Sequence, residues 1–116
     1  MTATAASNQP AGTPAGESRT FSAASAYSIN AASMTAENVW DFDYGQSIFS
    51  AICSSVYESP GKSLLVDYAV ADNFTHARLV GLDSNHTVAF DFQYPTASCS
   101  TSWNAIPIAF DNLAID

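Results

Sequence analysis

A mainly β fold is predicted, as a curved antiparallel sheet or small sandwich or barrel with one short helix at about residues 46–57. Three observations predict it. Apolar and polar side chains alternate with period two through most of the chain beyond residue 20, turn residues separate these runs at short intervals, and one window alone changes to a helical period. An α+β arrangement with that helix packed across the sheet is the alternative. The length of 116 residues allows one domain and leaves no room for a second.

Residues 1–18 hold no aromatic and no branched aliphatic side chain, so they bury too little surface to offset ordering entropy. We read them as a flexible Ala/Ser/Thr/Pro-rich arm, with residues 19–116 as the β-rich domain. Phe21, Ala23, Tyr27 and Ile29 give a weak strand signal. A clearer one follows, in which Trp40, Phe42 and Tyr44 share one face while Asp41 and Asp43 share the other, and Gly45 ends the run. From Gln46 to Tyr57 the apolar positions Ile48, Phe49, Ile52, Cys53 and Val56 fit one face of a helix, against the modest helix propensity of Ser, Ile and Val. Ser59-Pro60-Gly61 stops it.

Leu64, Val66, Tyr68 and Val70 then share a strand face, and Phe74, His76, Arg78, Val80 and Leu82 share the next. Val88, Phe90, Phe92 and Tyr94 alternate most cleanly of all and are expected to line the core, with Asp91 outward. Ile106, Ile108 and Phe110 mark a last strand, which Pro107 restricts to a sheet edge or a bulge.

Eleven acids against three bases leave a net charge of −8, and the fixed cations are Arg19, Lys62 and Arg78. A nucleic-acid face needs clustered Lys and Arg, and an anionic membrane surface needs the same, so neither is expected as a partner. No stretch is long and apolar enough to span a bilayer, and the N-terminus lacks the basic and apolar regions of a secretory signal. A bridge between Cys53 and Cys99 would close a loop worth about 4 kcal/mol. Two buried thiols are the competing reading. Asn73-Phe74-Thr75 and Asn85-His86-Thr87 form glycosylation sequons in expected turns, where Asn is also the ordinary turn residue.

Catalytic constellations fail one at a time. Gly61-Lys62-Ser63 ends like a phosphate loop, but the first glycine of that motif would fall at Val56. Asp83 opens like a calcium loop, but Val88 and Tyr94 occupy the positions of its glycine and glutamate. Asp41 and Asp43 stand about 7 Å apart on one strand face, a spacing that suits a cation or an acid/base pair as well as a solvated surface. His76 and His86 lack metal-ligand spacing. Trp40, Phe42, Tyr44 and Trp103 suit either an aromatic ligand or core filling.

The candidate binding residues are therefore Asp41, Asp43, His76, Arg78 and Trp103, with no catalytic set, no metal and no cofactor. The expected function is a non-catalytic structural or assembly subunit of shell, decoration or filament type, working through its arm and through contacts with other protein chains as a homo-oligomer or larger assembly. A virion or extracellular setting is favoured over the cytoplasm. A small secreted β-barrel module binding a glycan or apolar ligand is the alternative, and an enzyme ranks third.

Overall fold

The computed structural model describes residues 20–97, 102 and 104–108. The expected arm, residues 1–18, lies outside them. Alternation produces strands where it was expected: β1 (Ala24–Asn30), β2 (Thr35–Phe42), β3 (Ser55–Glu58), β4 (Leu64–Val70), β5 (His76–Leu82) and β6 (Val88–Pro95). β1 and β2 form an antiparallel ribbon, and β3-β4-β5-β6 form a second antiparallel sheet in sequence order. The fold is mainly β with one short helix, as expected, and the sheets do not close into a barrel.

The helix stands elsewhere than at 46–57. A single helical turn, α1 (Ala71–Phe74), joins β4 to β5 and carries left-handed φ values at Asp72, Asn73 and Phe74. The 46–57 window instead holds the end of a 3-10 turn at Tyr44–Gln46, an irregular segment and β3. Serine hydroxyls decide this. Ser22 Oγ accepts from Ser50 N at 2.9 Å and donates to Ser50 O, and Ser50 Oγ accepts from Val70 N at 3.1 Å and from Ser54 Oγ at 2.8 Å. Such side chains offer the backbone an alternative to helical hydrogen bonds, and here they tie the segment to the start of β1 and the end of β4. Residues 104–108 form no strand, and Phe110 lies outside the described residues.

The core lies between the two sheets. Ala24, Ile48, Val66, Tyr68, Ala71, Val80 and Leu82 are buried there, with Trp40, Phe42, Tyr44 and Leu64 packed against them. The face of β2 that carries Trp40 and Phe42, continued by Tyr44, thus covers the face of β4 and β5 that carries Val66, Tyr68, Val80 and Leu82. The register then places β6. Val80 pairs with Asp91, whereas Phe90 and Phe92 pair with Gly81 and Leu79.

Asp91 consequently faces the core, and Phe90 and Phe92 occupy the opposite side, 41% and 62% exposed. The expectation that Val88, Phe90, Phe92 and Tyr94 line the core is corrected: Val88 and Phe90 are exposed at about two-fifths, Phe92 more so, and Tyr94 is half-buried. The more hydrophobic side of β6 is not the covered one, because Arg78 on the neighbouring strand requires Asp91 beside it.

Gly81 carries the opposite face, where the Phe90 ring lies directly over it; a Cβ there would run into that ring. Gly81→Ala should displace Phe90 and cost about 1–3 kcal/mol, the range for overpacking. Adding Phe90→Ala should recover most of that loss, a coupling that urea unfolding of the two single variants and the double variant would measure.

Candidate functional site

Two neighbouring arrangements on the core side of the molecule concentrate its chemistry. The first is a half-buried polar cluster formed by Arg78, Asp91 and Tyr44. Arg78 Nε donates to Asp91 Oδ1 at 3.1 Å, and Arg78 Nη2 pairs with Asp91 Oδ2. The Tyr44 hydroxyl donates to the same Oδ2 at 2.6 Å, and its ring lies 5.2 Å from the guanidinium carbon.

The Arg78 hydrogen bond holds the Asp91 carboxyl below its ordinary range, against burial that raises it, with a further contribution from Tyr44. Tyr44 is raised, chiefly because its proton is bonded to Asp91. Tyr68, whose buried hydroxyl has no partner among the described atoms, is pushed up to about 12, first by burial and then by the nearby Asp43 charge. Arg78 therefore spends its charge on Asp91. The cluster holds the two sheets together and offers no free cation to a ligand.

The second arrangement is a cleft between the β1–β2 ribbon and the β3 edge of the larger sheet, divided into two cavities. One, of about 440 Å³, is lined by Trp40, Val39, Val56, Leu64, Glu58 and His86. The Trp40 and His86 rings lie 4.7 Å apart, tilted at 53°. Trp40 reaches this place because Phe42, stacked parallel to it at 6.4 Å, and Tyr44 are seated in the core two and four residues further on.

His86 reaches it from the β5–β6 turn. Asp83 Oδ1 accepts from Asn85 N and Thr87 N, both at 2.9 Å, and His86 adopts φ 63°. That left-handed conformation is one His tolerates better than most side chains. Glu58, on the same wall, receives Lys62 Nζ at 2.5 Å, so the two charges offset each other at the cavity's exposed edge. The other cavity, of about 400 Å³, has a serine-rich wall that includes Ser22, Ser50, Ser54 and Ser55.

The residues singled out from sequence fall elsewhere. Asp41 lies on the exposed side of β2, bonded to Ser25 Oγ at 2.5 Å and to Asn38 Nδ2. Asp43 accepts from Gly45 N at 2.9 Å and caps the 3-10 turn. His76 stands at the start of β5, with Nδ1 2.8 Å from Thr75 Oγ1 and 3.7 Å from Asp72 Oδ2. Arg78 is paired as described. None of these four lines either cavity, and Trp103 lies outside the described residues.

Cys53 is not a free thiol, and Cys99, its expected bridge partner, lies outside the described residues. Asn73 and Asn85 are exposed in turns. Among the described residues no three His, Cys, Asp or Glu side chains are grouped to hold a metal, and no helix is long and apolar enough to cross a membrane. His86 and Trp40 were visible in the sequence only as a turn histidine and a core aromatic. Their meeting is a tertiary contact between the β5–β6 turn and β2 that no local spacing reports.

A family model described as arylsulfotransferase (ASST) matches residues 3–104. No curated protein and no solved structure matches the chain. The family match overturns the expectation of a non-catalytic structural subunit, and with it the self-assembly reading and the view that the protein is not an enzyme. An absence of local motifs misled that reading, because the Trp40–His86 cavity is assembled from five separate stretches of chain.

Half-buried Asp91 and fully buried Asp67 predict opposed pH dependences. Asp91 has a lowered folded pKa, so its stabilisation is present above the ordinary carboxylate value of about 4 and is lost as pH falls through the lower folded value. Asp67, fully buried and accepting from Ser102 Oγ, is raised by that burial. Its contribution is present below about 4 and is lost as pH rises through the raised folded value. Asp91→Asn should lower stability by roughly 1–3 kcal/mol at pH 7 and flatten the acid limb of a melting profile. Asp67→Asn should instead flatten the decline toward neutral pH.

Proposed function

The chain belongs to the arylsulfotransferase (ASST) family, and from that membership we propose that it takes part in sulfuryl transfer to or from a phenolic oxygen, with the aryl group held in the Trp40–His86 cavity. The observation that carries this reading is the imidazole standing 4.7 Å from an indole on the wall of a ring-sized, mostly apolar cavity. Such a wall offers an aryl ring a flat partner and apolar area. The reacting oxygen needs a group that takes or gives a proton, and imidazole is the side chain best suited to do so near neutral pH.

In the transfer step the acceptor hydroxyl gives its proton to His86 while its oxygen forms a bond to sulfur. The bond from sulfur to the donor oxygen breaks, and that oxygen leaves with the electron pair and takes up a proton. The cavity wall carries one carboxylate, Glu58, whose charge Lys62 offsets, so ring contact and apolar area would hold an aryl group there.

His86→Gln keeps a hydrogen-bonding side chain but removes the base. With 4-nitrophenyl sulfate as donor and phenol as acceptor, it should lower kcat by about 10²–10⁴-fold, the usual contribution of general acid–base catalysis, with KM little changed. Trp40→Leu should chiefly raise the KM for the aryl sulfate. Wild-type turnover by a folded His86→Gln protein would remove His86 from the mechanism.

A further inference from the structure

Sulfuryl transfer makes no use of the two sequons, Asn73-Phe74-Thr75 and Asn85-His86-Thr87. Asparagine also serves turns for backbone reasons, so a sequon points to a glycan only where the fold itself has no use for the amide. Asn73 is used by the fold. It holds a left-handed conformation, φ 56° and ψ 45°, which Asn adopts more readily than most residues. The hydroxyl of its sequon is engaged as well, since Thr75 Oγ1 donates to Asp72 O at 2.7 Å and lies 2.8 Å from His76 Nδ1.

Asn85 is the contrary case, because Asp83 and His86 between them make the β5–β6 turn. Asp83 O accepts from His86 N and Asp83 N donates to Thr87 O, both at 2.9 Å, while Asp83 Oδ1 accepts from Asn85 N and Thr87 N. The left-handed position falls to His86. Asn85 thus lends the turn its backbone N–H, and its side-chain amide bonds to nothing among the described residues. Thr87 likewise gives its backbone and leaves its hydroxyl without a partner among them. Both side chains are exposed.

A separate observation concerns the compartment. Cys53 is disulfide-bonded, the state of a chain matured where thiols are oxidised, and such compartments include the one in which N-glycans are attached.

We propose that Asn85 is an N-glycosylation site, taking its oligosaccharide from a lipid diphosphate carrier. Asn85 Nδ2 forms a bond to the anomeric carbon of the first sugar and gives up one of its two protons. The bond from that carbon to the carrier's phosphate oxygen breaks, and the diphosphate leaves with the electron pair. The fold accommodates the product. Asn85 sits in the turn at the end of the β5–β6 hairpin and lines neither cavity, so the glycan stands in solvent beside the His86 wall and leaves the Trp40 cavity open. Nothing in this assignment depends on the sulfuryl-transfer reading.

The test begins with protein purified from its natural source. Peptide-N-glycosidase in heavy-oxygen water turns each glycosylated Asn into a labelled Asp, which peptide mass spectrometry locates. Label at position 85, with a fall in the intact mass on deglycosylation, is the expected result. An Asn85 peptide that is unmodified throughout the sample, or label at position 73 alone, would overturn the proposal.

Variants secreted from a glycosylating host separate the sequon from the turn. Thr87→Ser should keep the glycan and Thr87→Ala should lose it, although both retain Asn85. Asn85→Gln should also lose it and should melt together with unglycosylated wild type from a bacterial host, because Asp83 still closes the turn. A glycan on Asn85 that survives Thr87→Ala, or an Asn85→Gln chain that melts well below the unglycosylated wild type, would show that the amide serves the fold and not a glycan.

Discussion

Two charges in an otherwise apolar interface decide how this chain packs. Arg78 and Asp91 project from the same face of neighbouring strands β5 and β6, each half-buried, and partial desolvation is less costly to each with the other beside it. Once they pair, that face of the sheet becomes the one a second layer can cover, with Val66, Tyr68, Val80 and Leu82 around the pair. Tyr44 closes the arrangement by donating to Asp91. Because Tyr44 follows β2 directly, its anchorage sets the position of Phe42 and then of Trp40, the indole that forms the wall of the candidate site. A surface ion pair is worth little, but one placed between layers fixes register and facing.

How much of this the sequence discloses depends on whether the deciding contact is local. Strands β2, β4, β5 and β6 are legible because period-two alternation is a property of each strand alone. The facing of β6 is not legible, since its Phe90/Phe92 side is the more hydrophobic and the reason for turning it away is a charge on another strand. The 46–57 window misleads in a related way: Ile48, Phe49, Ile52, Cys53 and Val56 keep a helical spacing, but Ser22 and Ser50 bind the segment to distant backbone instead. At the site, His86 and Trp40 lie in stretches more than forty residues apart in the chain. Asp41 and Asp43 drew attention by adjacency, and their carboxylates are used on local partners: Ser25 and Asn38 for one, Gly45 for the other.

The cleft also explains a feature of composition that first pointed away from catalysis. So few cations in an acidic chain look unsuited to sulfate chemistry, and an average over the surface supports that view. Recognition depends on local contacts instead. Arg78 is engaged by Asp91, and Lys62 is engaged by Glu58 in the same way at the exposed edge of the Trp40 side. An aryl ester proposed for that side therefore rests on ring contact and apolar area and not on a counter-ion. Scarcity of cations thereby leaves recognition there to the Trp40 and His86 rings and to the apolar wall at Val39, Val56 and Leu64.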